Sequence, residues 1–356
     1  MNRLDRIVMT RRNFLWCVVL LLAFLPLDAA AQKRLGMFHR GAGTIEYTYY
    51  EPFERQPINL HYYIPTKGNI KNMQVIISVH GSERKGRIQR GLWRNLAEKF
   101  GFVVLVPEMR QENGYRKNSY RFGFVSRSLK NGEFSLRPRE KWVFQLIEEI
   151  FDFYRTETGS KVRQYDLFGQ SAGAQFVERF LLTMHDARCR RAVASNAGQY
   201  TYPDPTGLHH DDGTLCDHPG WPHSVMGTPF ANDEYLRAFF KRDFIVHIAA
   251  NDREDLLVRD KLNDLEKYKY NYYVIQGATR YDRAHNFFNY AKRIAAEKGM
   301  EFNWRLVVVP ETKHGSLGAI FGTPNVRRWR LEDGDRVADI RDRTNYGAFH
   351  LLVEKK

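Results

Sequence analysis

The feature that most constrains this chain is a series of apolar runs, too short for helices and too continuous for half-exposed strands. Val75-Ile76-Ile77-Ser78-Val79 and Phe102-Val103-Val104-Leu105-Val106 are the clearest. Val162 to Phe168, Arg191 to Ser195, Phe244 to Ala249 and Arg305 to Val309 read as further strands. Runs of this kind read as strands of a parallel sheet covered on both sides. Stretches of helical periodicity lie between them: Arg90 to Phe100, Pro138 to Tyr154, Ala172 to Leu182 and Tyr281 to Lys298. Ile45 to Tyr50 and Asn59 to Ile64 alternate, and read as an antiparallel pair that opens the domain. The alternation predicts an α/β fold with a mostly parallel central sheet and helices on both faces.

The chain has 356 residues and only three cysteines, so its core needs no disulfide scaffold. Residues 201–242 break the strand–helix rhythm with Pro203, Pro205, Pro219, Pro222 and Pro229. They read as a lid-like insertion at the end of the sheet. Tyr200, Tyr202, Trp221 and Phe230 are expected to give it apolar surface for a substrate. Cys189 and Cys216 fall near opposite edges of the sheet and are expected to stay unpaired. The formal charge of +14 favours anionic partners but says nothing about fold.

The N-terminus reads as an address. Arg3, Arg6, Arg11 and Arg12 form a basic region, Phe14 to Leu25 is an apolar run, and Ala29-Ala30-Ala31 offers a cleavage site. This predicts a signal peptide over 1–31 and an exported, periplasmic or secreted chain over 32–356. Both general and twin-arginine export fit the Arg11-Arg12 pair. Cys17 lies inside the apolar run, which argues against a lipid anchor, and no later run is long enough to span a membrane.

Gly169-Gln170-Ser171-Ala172-Gly173 follows an apolar strand and opens a helix. That is the setting of a nucleophile elbow, in which the serine sits in a tight turn that side chains on the flanking glycines would block. A serine hydroxyl needs a base, and the base needs a carboxylate to orient it. Asp252 follows the strand Phe244 to Ala249, and His314 follows Arg305 to Val309. Both therefore lie at carboxyl ends of strands, where open α/β sheets bind ligands. Asp252, directly past its strand, is expected to be the acid over Glu254 and Asp255, since an Asp at a helix start is explained by capping alone. His80-Gly81-Ser82 ends another strand, and the N–H groups of Ser82 and Ala172 are the expected oxyanion donors.

At these residues the chain resembles the alpha/beta-hydrolase superfamily. The His-Gly loop, the Gly-Gln-Ser-Ala-Gly elbow and the late Asp and His are similar to secreted esterases related to polyhydroxybutyrate depolymerases and feruloyl esterases. The resemblance covers roughly residues 58–320. It implies the alpha/beta-hydrolase fold, with Ser171 as nucleophile, Asp252 as acid and His314 as base. Gln276-Gly277-Ala278-Thr279-Arg280, with Arg283 and the strand at Trp304, also resembles members of this group.

Other readings are weaker. His209, His210, Asp211, Asp212, Asp217, His218 and His223 cluster in the insertion, but no paired ligand spacing makes them a metal site. No cofactor motif is present, so neither metal nor cofactor is expected. Asp166 and His247 lie in strands and read as core residues, and His285 lies on a helix. The tract Arg110 to Lys130 interleaves Tyr115, Tyr120, Phe122 and Phe124 with basic residues, which can bind nucleic acid. In an exported chain a cleft loop or a solvated face is the expectation, with no nucleic-acid partner and no stable membrane anchor. The expected function is a serine hydrolase acting on a small or polymeric carboxylic ester. The alternatives are an amidase or peptidase with the same triad, or a binding protein on a hydrolase scaffold.

Overall fold

The computed structural model describes residues 36–127, 134–210, 212–253, 273–340 and 344–353. The signal segment, Cys17, Lys130, Asp211, Glu254 and Asp255 lie outside the described residues. Eight strands form one sheet: β1 (Gly41–Tyr47), β2 (Ile58–Ile64), β3 (Val75–Val79), β4 (Val103–Glu108), β5 (Tyr165–Gln170), β6 (Cys189–Ser195), β7 (Asp243–Ala249) and β8 (Arg305–Val309). Their order is β1-β2-β4-β3-β5-β6-β7-β8. β2 pairs antiparallel with β1 and β4, and every later pairing is parallel.

Period-two alternation divides the strand residues between two cores. Val75, Ile77, Leu105, Leu167, Val246 and Ile248 face one side. Ile76, Val104, Val106, Phe168, Val193 and Ile245 face the other. The second core is closed by α1 (Gly86–Phe100) through Trp93, Leu96 and Ala97. After the short α2 (Lys117–Arg121), the first core is closed by α3 (Gln145–Thr158), α4 (Ala172–Thr183), α5 (Asp233–Lys241) and α6 (Arg280–Glu297). The helical segments thus lie on both faces, because each strand buries both sets of side chains. Among the described residues no helix is long and apolar enough to cross a membrane.

Residues 201–242 are placed differently from the expectation. Tyr200, Tyr202, Trp221 and Phe230 are buried in the first core. Tyr200 stacks on Phe287 of α6 with centroids 4.2 Å apart, and Phe230 meets Trp142 and Trp221 edge-on or tilted at 5.9 and 5.8 Å. The segment also contains α5, whose Leu236, Phe239 and Phe240 are fully buried. Large aromatic surfaces gain more from packing under helices than from lining a wet cleft. Cys189 and Cys216 are both free and buried, as expected.

The C-terminal part holds elements with no clear sequence signal. α7 (Ser316–Phe321) leads to a two-stranded hairpin, β9 (Val326–Arg330) with β10 (Arg336–Ile340), and α8 (Ala348–Val353) follows. The hairpin docks on α1. Asp335, with no exposed side-chain surface, pairs with Arg87 at 3.2 Å, with Arg94 at 2.9 Å and with Arg90. Gly91 makes room for it, since a Cβ there would collide with the Arg336 carbonyl. Removing a buried carboxylate leaves its cations uncompensated. Asp335→Ala is therefore expected to lower unfolding stability by about 3 kcal/mol in urea titrations, as for other broken buried pairs. An unchanged midpoint would mean that the hairpin docks without this pair.

Candidate active site

Three strand ends build the site. β5 stops at Gln170, and the chain reverses through Ser171 into α4. Ser171 has φ 57° and ψ −113°, a conformation that costs a non-glycine residue of order 1–3 kcal/mol. The turn persists because the residues around it leave no alternative. A Cβ on Gly169 would collide with the Gly173 carbonyl, and one on Gly173 with the carbonyls of Val79 and His80. The Ser171 N–H donates to the Ser195 carbonyl at 2.8 Å. Ser195 is fixed in turn. Its hydroxyl lies 2.7 Å from His247 Nδ1, and His247 Nε2 lies 2.7 Å from the Tyr346 carbonyl. That carbonyl only accepts, so Nε2 carries the proton and Nδ1 accepts from Ser195. His247 is thus a packed residue that supports the elbow from below. Ala172 opens α4, where N–H groups lack intrahelical acceptors and the helix dipole favours negative charge.

β7 and β8 bring the other two residues together. The Ala250 N–H donates to the Val309 carbonyl and the Asn251 N–H to the Thr312 carbonyl, both at 2.9 Å. This ties the loop after β7 to the loop after β8. Asp252 Oδ2 lies 2.7 Å from His314 Nδ1. Asp252 is 2% exposed and the His314 side chain 32%, so the carboxylate is buried and the ring reaches the cavity. The ring's other nitrogen, Nε2, is 3.3 Å from the Gln170 amide nitrogen. Among the described residues no hydrogen bond joins Ser171 Oγ to His314. Such contacts are often long without substrate and tighten in the reacting complex.

The Gly81-Ser82 loop lies against the elbow: a Cβ on Gly81 would stand 3.9 Å from Ser171 Cβ. His80 holds this loop. Its Nε2 accepts from the Met109 N–H at 3.1 Å, so the proton is on Nδ1, which donates to the Gly81 carbonyl at 2.9 Å. The Tyr120 hydroxyl donates to the His80 carbonyl, and the two rings stack 4.9 Å apart. Burial lowers the His80 pKa to about 4, so the ring stays neutral and structural.

Two residues were not legible as site residues. Arg280 Nη1 lies 3.1 Å from the second Asp252 oxygen, Oδ1. It opens α6, whose start is fixed by a capping box between Thr279 and Asp282. Nearby Gln276 exchanges two hydrogen bonds with the Tyr200 backbone, at 2.9 and 2.8 Å. Arg280 thus braces Asp252, while Gln276 ties the same segment to Tyr200. Gln170, inside the elbow motif, was the other: its side chain meets His314 and, at 3.5 Å, Ser316.

A cavity of about 810 Å³ opens at Ser171 and His314. His80, Gly81 and Ser82 line it on one side, and the β9–β10 hairpin through Arg328, Trp329, Arg330 and Arg336 on another. Among the described residues none of 201–242 lines it, which corrects the view of that segment as a wall of the cleft. A second cavity, of about 880 Å³, lies between the insertion and α6, with Asp204, His209 and Tyr290 in its lining. Among the described residues no three His, Cys, Asp or Glu side chains are placed to hold a metal ion. Asp166 is buried and paired with Arg190 at 2.7 Å, and burial raises its pKa. His285 Nδ1 bonds the Tyr281 carbonyl at 2.8 Å within α6. In the basic tract, Tyr115 and Tyr120 are core residues, and Phe124 lies under the Arg137 guanidinium at 3.7 Å.

Arg280→Ala is expected to lower kcat about tenfold, with KM little changed and partial recovery in Arg280→Lys, as for a lost charged hydrogen bond. Matching losses in the Ala and Lys variants would show that Arg280 does not act through its charge. Burial also lowers the His247 pKa to about 4, from about 6.5 in the unfolded chain. Between those values the unfolded chain binds a proton that the folded chain refuses, so stability falls as pH drops through the window. The urea midpoint of His247→Gln should fall less between pH 7 and 4.5 than that of the parent. Parallel curves would mean that His247 carries its proton in the folded state.

No family model and no curated protein matches the chain. Solved structures do. Poly(aspartic acid) hydrolase-1 from Sphingomonas sp. KT-1 is 29% identical, with a TM-score of 0.67, over 79% of this chain and 96% of its own. The poly(3-hydroxybutyrate) depolymerase LpqC from Bordetella parapertussis is 23% identical, with a TM-score of 0.66, over 80% of this chain and 88% of its own. The eight-stranded sheet, its helices on both faces and these neighbours agree: the chain is a protein of the alpha/beta-hydrolase fold.

Proposed function

We propose that the chain is an exported serine hydrolase that cleaves carboxylic esters through an acyl-enzyme. The observation that carries this reading is the strained Ser171 turn at the mouth of α4, beside a His314 ring held by Asp252 at 2.7 Å. His314 Nδ1 bears the proton that faces Asp252, which leaves Nε2 as the base. On substrate binding, Ser171 Oγ replaces the Gln170 amide at Nε2. Its proton passes to Nε2 as Oγ attacks the carbonyl carbon, and the N–H groups of Ser82 and Ala172 receive the oxyanion. The intermediate collapses, the C–O bond to the leaving alcohol breaks, and His314 gives that oxygen the proton. Water then repeats the sequence, releasing the acid and restoring Ser171. Asp252 fixes the ring and stabilises the imidazolium. Arg280 and His80 act one step away, by holding Asp252 and the oxyanion loop.

An amide is the second reading, because the same steps expel an amine and one structural neighbour is named for a polymer that amide bonds join. Export rests on the basic and apolar N-terminal sequence.

A fluorophosphonate probe is expected to label the chain at Ser171 and to fail with Ser171→Ala. Ser171→Ala and His314→Ala should each lower kcat by about 10³-fold or more on a 4-nitrophenyl ester, and the double variant little further, since the two act as one unit. Additive losses would separate them. Asp252→Asn should lower kcat by about 10⁴-fold while keeping the fold, through the wrong tautomer. Higher kcat/KM on a 4-nitroanilide than on the matched ester would decide for the amide.

A further inference from the structure

Among the described residues the cavity at Ser171 has a wall of positive charge, most of it unpaired. Apart from His80 and His314, its charged lining is Lys85, Lys313, Arg328, Arg330 and Arg336 against one carboxylate, Glu83. Glu83 is already taken by Lys85, at 2.5 Å. Among the described residues no carboxylate comes within ion-pair reach of Lys313, Arg328, Arg330 or Arg336. Arg330 and Arg336 stand directly opposite each other across the hairpin. Like charges in that relation repel and weaken a strand pair.

The same hairpin pairs its two turn aspartates. Asp333 and Asp335, at the turn, meet Arg87, Arg90 and Arg94 of α1. The carboxylates Asp333 and Asp335 thus face α1, while Arg328, Arg330 and Arg336 line the cavity. A lone surface arginine needs no explanation, but this group is held in place by a buried ion cluster and lies on the rim of a cavity that contains the proposed nucleophile.

We propose that this wall binds carboxylates of the substrate, so that the hydrolase takes an anionic, acyl-linked chain along β9 and β10 while its scissile carbonyl lies at Ser171. The proposal rests on the serine-hydrolase reading and deepens it. Guanidinium forks donate two parallel N–H bonds to a carboxylate. Arg328 and Arg330, two residues apart on one strand, are spaced by about 7 Å, which suits anions that recur along a chain. A nucleic acid also carries recurring anions, yet it offers Ser171 no carboxylic acyl bond. An anionic lipid surface is the rival source of negative charge and forms one arm of the test.

Binding is read in the full chain carrying Ser171→Ala, so that it does not depend on turnover. The probes are fluorescein-labelled deca-aspartate, deca-glutamine of the same length, and phosphatidylglycerol vesicles. Deca-aspartate is expected to bind at least tenfold more tightly than deca-glutamine and to weaken as salt rises. Adding Arg328→Gln and Arg330→Gln should weaken deca-aspartate by about tenfold, the scale of two exposed ion pairs, and Arg328→Lys with Arg330→Lys should keep most of the affinity. These positions are exposed, and circular dichroism of each variant confirms that it folds. Equal affinity for the two peptides, no loss in the Gln variant, or capture by the vesicles without binding of deca-aspartate would each overturn the proposal. Failure of fluorophosphonate labelling in the parent chain would instead remove the hydrolase reading, and charge-dependent binding would then stand as a separate result.

Discussion

The site depends on the turn at Ser171, and the turn depends on two absent side chains. Gly169 lets the end of β5 close on the Gly173 carbonyl, and Gly173 lets the start of α4 press against the backbone of β3 and its loop; a Cβ at either place would collide. That close approach sets three things at once. It exposes the hydroxyl at the sheet's carboxyl edge, puts the first N–H of α4 beside it, and brings Gly81 into contact. The strain of the turn is held by the neighbouring strands. Ser195 on β6 accepts the Ser171 N–H, and His247 on β7 fixes Ser195.

The proposed base and acid depend on the sheet in a different way. His314 and Asp252 are far apart in sequence, and each follows a strand. β7 and β8 run parallel in register, so their ends leave the sheet at the same height. Backbone bonds between the two loops then fix the spacing, and the Arg280 guanidinium occupies the carboxylate oxygen that His314 does not use. A buried carboxylate with both oxygens engaged has little freedom to turn, so the orientation of the ring comes from the backbone and not from chance rotamers.

The cavity draws its character from the C-terminal hairpin. Docking on α1 through Asp335 places three arginines of β9 and β10 in the lining of the cavity that contains Ser171. The positive formal charge of the chain thus has a local counterpart at the site. The proline-rich segment after β6, in contrast, spends its aromatic residues in the core beside α3 and α6.

The amino-acid sequence by itself determined the α/β class, the strand positions and the elbow. Apolar runs of strand length can be buried only in a covered parallel sheet, and Gly-x-Ser-x-Gly between strand and helix has one steric meaning. Ser171, Asp252 and His314 could be proposed as a set because strand ends are legible and the chain order is fixed. Tertiary structure alone decided the rest. Arg280 faces Asp252 only because α6 starts under the β7 loop, and Gln170 meets His314 only because β8 delivers the ring there. The hairpin was missed because Val326 to Arg330 is mostly charged and carries no strand period; its stability comes from ion pairs with a helix more than 200 residues away in sequence. The aromatic residues of 201–242 look alike in sequence whether they line a cleft or fill a core, and only the helices packed around them choose between the two.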